Sequence, residues 1–64
     1  MDLGDIYVNN KTENLYIVCG GAVHSETEEL LILYSRLTGN DKRVWARNIE
    51  LFKEKFTRHV SLEA

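Results

Sequence analysis

The feature that most constrains the fold of this chain is a run of five apolar residues that no polar residue interrupts. The run occupies residues 30–34 and reads LLILY. It has the length of a β-strand and is too short to cross a membrane. The first, third and fifth residues of such a strand point to one face of the sheet, and the other two point to the opposite face. Both faces need cover, which predicts a closed barrel, a covering helix or a second copy of the chain.

The chain is short for a protein that must be stable by itself. Its 64 residues make a single domain, 1–64, and a domain of this size buries only about 60% of the surface of its unfolded chain. Cys19 is the only cysteine, so an intramolecular disulfide is not possible and no cysteine–histidine cluster has metal-ligand spacing. We therefore expect no cofactor, and we expect a homo-oligomer, most simply a two-fold dimer, to supply further buried area.

The formal net charge of −2 conceals an asymmetry along the chain. Residues 1–41 contain seven acidic and two basic side chains, a net charge of −5, whereas residues 42–58 contain six basic and two acidic ones, a net charge of +4. This pattern is typical either of a mixed solvated surface or of a basic face opposite an acidic one, which suits an anionic ligand or self-association. Acidic residues near the N-terminus argue against a signal peptide, so we expect a cytoplasmic protein without a membrane partner.

Other apolar segments predict short strands on either side of the central one, which extends to residue 36. Residues 5–8 and 15–19 predict a hairpin, and residues 44–47 predict a fourth strand. The two glycines that follow residue 19 predict a bulge or a break, since glycine tolerates backbone angles that other residues avoid. In the fourth strand, alternation places Trp45 and Arg47 on the same face.

The C-terminal part of the chain predicts a short helix. Asn48 is a favourable N-cap, and apolar residues at helical spacing follow it over about residues 49–55, while residues 57–64 predict a short strand or a tail. The predicted fold is therefore mainly β, a small SH3-like barrel or roll of about five strands with one short C-terminal helix. Its predicted core comprises Ile6, Tyr16, Val18, Leu31, Leu33, Trp45, Leu51 and Phe52.

A polar block before the central strand and a Trp-x-Arg motif after it belong to a longer pattern. The pattern contains His24-Ser25-Glu26-Thr27, then Tyr34, Leu37 and Gly39, then Trp45-x-Arg47, then Leu51-Phe52, with Gly4-x-Ile6-Tyr7 and Tyr16 nearer the N-terminus. Over about residues 4–54 the chain resembles the DUF1653 family of small bacterial and phage proteins. The resemblance implies an SH3-like barrel with no established activity, and it supplies no catalytic residues.

The polar block contains the residue types of a nucleophilic triad without the geometry of one. Neighbouring residues of an extended chain point to opposite sides, so His24 and Ser25 do not readily face each other. The structural interpretation is that the block caps a turn, and the functional one is that it contributes to a binding site. Arg47 likewise either pairs with Glu26 or Glu29, or recognises a phosphate or carboxylate with its planar guanidinium. The candidate ligand-binding residues are His24, Ser25, Glu26, Tyr34, Trp45 and Arg47.

Two classes of function follow from these residues. The first is a non-enzymatic binding module for a small anionic or nucleotide-like ligand or for a protein partner. In a phage setting, which the resemblance alone implies, such a module would sequester a signal or inhibit a host protein. The second is a nucleic-acid-binding barrel that uses aromatic rings for stacking and the basic segment 42–58 for phosphates, although the negative net charge argues against it. An enzyme ranks third, because no phosphate loop, metal-binding set or activated nucleophile is present.

Overall fold

The computed structural model describes residues 1–59, which form a mainly β fold with one short helix. The elements are β1 (Ile6–Asn9), β2 (Leu15–Val23), β3 (Leu30–Arg36), β4 (Val44–Asn48), α1 (Ile49–Lys55) and β5 (Phe56–Arg58). The predicted hairpin, central strand, fourth strand and helix are confirmed, with small differences at their ends. Residues 60–64, which fall in the predicted last strand or tail, lie outside the described residues.

All five strands belong to one antiparallel sheet with the order β4-β3-β2-β1-β5. The predicted class, mainly β with about five strands and one helix, is confirmed. The sheet is open, because no hydrogen-bonded ladder joins the edge strands β4 and β5 within residues 1–59. Closure of the predicted SH3-like barrel is therefore not confirmed.

A bulge lies in the middle of β2. The register with β3 shifts between Val18 and Gly20, which leaves Cys19 without a partner on β3. An extra residue on one strand bends that strand and increases its local twist. The predicted irregularity is present and falls one residue before the first glycine.

The core lies between α1 and one face of the sheet. Phe52 of α1 is fully buried, and its ring centroid lies 4.4 Å from that of Phe56, 5.0 Å from Tyr7 and 5.1 Å from Tyr34. The apolar stripe of α1 thus meets aromatic side chains from three strands. The buried residues are Tyr7, Val18, Ile32, Tyr34, Phe52 and Phe56, with Tyr16, Trp45 and Ile49 packed against them.

The predicted core was right for Val18 and Phe52 but wrong for the central strand. The structure buries Ile32 and Tyr34, whereas Leu31 and Leu33 are only half-buried on the opposite face. The reason is that α1 packs on the Tyr34 face and leaves the other face uncovered within residues 1–59.

Two further predicted core positions differ for local reasons. Leu51 is exposed, because the neighbouring Phe52 occupies the side of α1 that faces the sheet. Ile6 is half-buried, since its neighbour Tyr7 takes the inward position of β1. In β1, alternation sends Ile6 to the face opposite Tyr7, and in α1, helical spacing turns Leu51 away from the side that Phe52 occupies.

Asn48 joins β4 to α1 and is the N-cap that the sequence predicts. Its Oδ1 accepts hydrogen bonds from the backbone N–H of Glu50 at 2.8 Å and of Leu51 at 3.4 Å. Such a cap satisfies donors that have no partner inside the helix. The helix ends at Phe56, which adopts an extended conformation and begins β5. A seven-residue helix therefore connects the two edge strands of the sheet.

Candidate functional site

His24 organises the turn between β2 and β3. Its Nδ1 accepts hydrogen bonds from the backbone N–H of Glu26 at 3.1 Å and of Thr27 at 3.3 Å. Backbone bonds close the turn, since His24 N donates to Glu29 O at 2.9 Å and Glu28 N donates to His24 O at 2.8 Å. The ring nitrogen therefore acts as a turn cap, which agrees with the structural interpretation of the polar block.

The same turn is attached to the start of α1. Thr27 Oγ1 donates to one carboxylate oxygen of Glu29 at 2.9 Å, and the Asn48 side-chain amide donates to the other at 2.7 Å. Within residues 1–59, the side chains of Ser25 and Glu26 make no hydrogen bond or ion pair, and both are exposed. The side chains of His24, Thr27 and Glu29 therefore stabilise the turn. Those of Ser25 and Glu26 face solvent.

We expect His24→Ala to lower the free energy of unfolding by about 1 kcal/mol, because two turn amides lose their acceptor. Urea denaturation followed by circular dichroism measures this change. Ser25→Ala is the matched control, and its effect should stay within about 0.5 kcal/mol because the Ser25 side chain is exposed and unbonded. Equal losses for the two variants would contradict the capping role of His24.

Tyr34, Trp45 and Arg47 lie together on the face of the sheet that carries the core. Tyr34 is the cross-strand partner of Trp45, with ring centroids 6.0 Å apart. Arg47 Nε–H donates to Tyr34 Oη at 3.2 Å, and the guanidinium carbon lies 5.9 Å from the centroid of the Phe56 ring. The structure thus divides the six candidate residues into two groups, these three and the residues of the turn.

Of the two alternatives for Arg47, the pairing with Glu26 or Glu29 is not found among the described residues. Within residues 1–59, the ion pairs are Arg43 with Asp41 and Arg58 with Asp5. Both oxygens of Glu29 are engaged by Thr27 and Asn48. The guanidinium of Arg47 therefore has a phenol and an aromatic ring as neighbours and no carboxylate partner among the described residues.

Arg47 lines a pocket of about 510 Å³ between the β1–β2 turn and the end of α1. Among the described residues, Lys11 and Lys55 are the other cationic side chains that line the pocket, and Glu54 is the one with a carboxylate. The full lining is Asn9, Asn10, Lys11, Thr12, Arg47, Glu54 and Lys55. Three cations against one anion make this pocket electropositive.

Hydrogen bonds hold the wall of the pocket in place. Asn9 Oδ1 accepts from the backbone N–H of Lys11 at 2.9 Å and of Thr12 at 3.0 Å, which fixes the β1–β2 turn. Asn10 ties this turn to the helix, because its backbone N–H donates to Lys55 O at 2.9 Å. Its side-chain amide also donates to Glu54 O at 3.3 Å. The pocket is therefore formed by a turn and a helix end that are bonded to each other.

Sequence reasoning did not find Lys11, Asn9 or Asn10 as site residues. The segment that contains them has the composition of an ordinary polar turn, and no local pattern connects it with Arg47. Lys55 belongs to the basic segment 42–58. The charge asymmetry of the sequence therefore pointed to Lys55 as one of several cations for an anionic ligand, but it did not place Lys55 beside Arg47. Only the pairing of β1 with β2 and β5 brings the turn beside the end of α1.

A family model described as "Protein of unknown function (DUF1653)" matches residues 6–62. The match covers nearly the whole chain. The chain belongs to the DUF1653 family. This confirms the resemblance carried by the His-Ser-Glu-Thr and Trp-x-Arg motifs. No match was found among curated proteins or among solved structures.

Two other arginines of this DUF1653 chain are engaged with aspartates. Arg43 donates to Asp41 from Nε at 3.0 Å and from Nη2 at 2.8 Å, and its guanidinium carbon lies 5.1 Å from the centroid of the Trp45 ring. The side-chain hydrogen bond from Arg43 lowers the pKa of the Asp41 carboxyl to about 2. Arg58 Nη2 lies 3.4 Å from Asp5 Oδ1. Both arginines thus already have anionic partners within the domain.

The described part of this DUF1653 chain has no obvious metal centre. Within residues 1–59, no three His, Cys, Asp or Glu side chains are grouped so that they could hold a metal ion. In the same part of the chain, no helix combines the length and the apolar character needed to cross a bilayer.

Proposed function

We propose that this DUF1653 chain is a non-enzymatic binding module for a small anionic ligand, such as a phosphate-bearing, nucleotide-like molecule, in the pocket around Arg47. The observation that carries the proposal is the environment of Arg47. Its guanidinium is half-buried, is bonded to Tyr34 Oη, lines the pocket and has no carboxylate partner within residues 1–59.

The geometry of Arg47 suits two acceptor oxygens. An arginine has five N–H donors in a planar fork, and the bond to Tyr34 uses the one on Nε. The Phe56 ring lies beside the guanidinium and restricts its orientation. The four donors on the terminal nitrogens suit the paired oxygens of a phosphate or carboxylate, which arginine binds in a bidentate manner.

The residues around Arg47 add positive charge and form a pocket of suitable size for a small molecule. Lys11 and Lys55 supply two more positive charges, and the volume of about 510 Å³ falls in the range of about 300–1,000 Å³ that is usual for small-molecule sites. Hydrogen bonds already order the turn and the helix end before a ligand binds. Less conformational entropy is therefore lost on binding, which favours affinity.

The position of Arg47 also supports an SH3-like roll. Arg47 belongs to β4 and Phe56 to β5, the two edges of the open sheet. The Arg47 guanidinium lies beside the Phe56 ring, so the two edge strands are near each other. No hydrogen-bonded ladder joins them within residues 1–59. We therefore propose a strongly curved, incompletely closed sheet whose edges flank the pocket.

The other classes of function have less support. Catalysis at Ser25 lacks an adjacent base, since His24 Nδ1 accepts two backbone amides and the Ser25 side chain faces solvent. Nucleic-acid binding through the basic segment has fewer available cations than the sequence suggests, because Arg43 and Arg58 are paired with aspartates. A non-enzymatic site for a small anion fits the described contacts best.

The test is a titration of the protein with inorganic pyrophosphate and, separately, with adenosine diphosphate, followed by NMR chemical shifts and calorimetry. Arg47→Lys keeps the charge and loses the fork, so affinity should fall about tenfold or more while the melting temperature changes little. Lys55→Ala should also weaken binding. Lys53→Ala is the matched control, because Lys53 is an exposed residue of the same helix outside the pocket.

Three results would contradict the proposal. They are no saturable binding of either probe, unchanged affinity in Arg47→Lys, and equal weakening by Lys53→Ala and Lys55→Ala, which would indicate nonspecific charge attraction. Binding of a single-stranded oligonucleotide that falls steeply with salt would favour the nucleic-acid alternative instead.

A further inference from the structure

We propose that the face of the sheet opposite α1, here called the outer face, is the interface of a homodimer. Strand pairing defines this face, because cross-strand partners point to the same side. Ile6 pairs with Ile17, Ile17 with Ser35, and Ser35 with Val44, which makes one row across four strands. The outer face comprises Ile6, Val8, Leu15, Ile17, Cys19, Gly20, Ala22, Leu31, Leu33, Ser35, Val44, Ala46 and Thr57, while Asn48 at its margin turns its side chain to α1.

The composition of the outer face is that of a covered surface. Charged residues make up 28% of the chain, yet within residues 1–59 none occupies a strand position of this face, and Glu13 and Glu29 lie only at its rim. An antiparallel sheet with one solvated face normally alternates apolar residues inside with polar ones outside. In this sheet the outward positions are mostly isoleucine, valine and leucine, so the sequence encodes two faces that both avoid water.

Nothing among the described residues covers the outer face. The helix α1 packs on the opposite side through Phe52 and Ile49. On the outer face, Val44 is 58% exposed and Cys19 is exposed. Cys19 is therefore not a buried residue of the single chain. Its Sγ lies 3.3 Å from Ser35 Oγ, near the middle of the face.

A second copy of this chain is the partner that fits best. Because no strand position of the face carries a charge within residues 1–59 and Glu13 and Glu29 lie at its rim, stacking two copies leaves these carboxylates near solvent and buries a centre without charged side chains. Neutral polar groups such as Ser35 and Thr57 add no charge to this centre. A two-fold axis uses the same patch on both copies, so a face with an uncharged centre is complementary to itself.

The size of the face corresponds to a small dimer interface. Five strands about 4.8 Å apart give a width of about 20 Å, and the longer strands extend about 23–30 Å at 3.3 Å per residue. Because the other three strands have only three to five residues, the flat area is about 450 Å², a little over half of the roughly 800 Å² per partner of a standard interface. Two such sheets stack at about 10 Å and make a sandwich, which adds buried apolar area to a domain of marginal size.

The experiment compares two valine-to-lysine variants by analytical ultracentrifugation. Val44 lies on the outer face and is 58% exposed, whereas Val23 lies on the α1 side of the sheet, where it pairs with Leu30, and is 63% exposed. Their exposure makes both substitutions tolerable for the fold. Wild type and Val23→Lys should sediment with about twice the 7.4 kDa mass of one chain, and Val44→Lys should raise the dissociation constant about 100-fold or more.

Alkylation of Cys19 by iodoacetate distinguishes face-to-face stacking from pairing of β4 edges. Stacking covers Cys19, so wild type should react several-fold more slowly at a concentration where it is dimeric than at one where it is monomeric. Edge pairing leaves Cys19 open and predicts equal rates. A wild-type monomer at high micromolar concentration, equal alkylation rates, or dissociation by Val23→Lys but not by Val44→Lys would each overturn the proposal.

Discussion

Replacing Phe52 by alanine is expected to remove about 3–5 kcal/mol from the free energy of unfolding, which is close to the whole stability of so small a domain. Phe52 is the fully buried residue at the centre of the aromatic cluster. Its ring stacks on Phe56 at an angle of 8° and meets Tyr7 and Tyr34 edge to face. Alanine leaves a cavity that these large rings cannot easily fill, and it detaches α1 from the sheet.

Urea denaturation followed by far-ultraviolet circular dichroism measures the loss, and the dispersion of amide NMR signals reports whether the variant folds at all. Leu51→Ala is the matched control because Leu51 is the neighbouring helix residue and is 47% exposed. It should change stability by much less, about 0.5–1 kcal/mol. If Phe52→Ala melted at the temperature of the wild type, the described packing of α1 would be incorrect.

The second large effect is expected at Ile32, where alanine should cost about 2–5 kcal/mol. Ile32 is 6% exposed and points toward α1 in the middle of β3. Its neighbour Leu33 is half-buried on the outer face. Leu33→Ala should therefore cost only about 1 kcal/mol within a single chain, because its side chain loses less contact there.

Measurements at different protein concentrations separate packing within one chain from association between two chains in this pair of variants. The loss in Ile32→Ala should not depend on concentration, since the cavity lies within one chain. If the outer face is a dimer interface, the loss in Leu33→Ala should grow as concentration rises, because wild type gains stability from association and the variant gains less. Urea midpoints at low and high micromolar concentration measure both. A larger loss for Leu33→Ala than for Ile32→Ala at low concentration would reverse the assigned faces.

Much of the secondary structure was predictable because its signals are local. The unbroken apolar run identified β3, and the glycine pair placed a bulge in β2 within one residue of its position. Asn48 followed by residues with helical spacing predicted the cap and α1. In each case the side chains that determine the element lie within a few positions of one another, so a single sequence contains the information.

The candidate site was predictable only in part. Alternation along β4 placed Trp45 and Arg47 on one face, and the structure adds Tyr34 to them as a cross-strand partner. The part that sequence reasoning missed is the wall formed by Lys11 and Lys55. These residues are 36 and 8 positions from Arg47, and they meet it because β1 pairs with both β2 and β5. A single sequence does not contain a local signal for such pairings.

The sequence by itself determined that both faces of the central strand avoid water, because apolar residues fill every position of residues 30–34. It did not determine which face becomes the core of the domain, since alternation treats the two faces alike. The tertiary structure decided this through α1, whose Phe52 packs against Tyr34 rather than Leu33. One seven-residue helix covers one face of a five-stranded sheet, so the second face keeps the apolar character that we assign to a second copy of the chain.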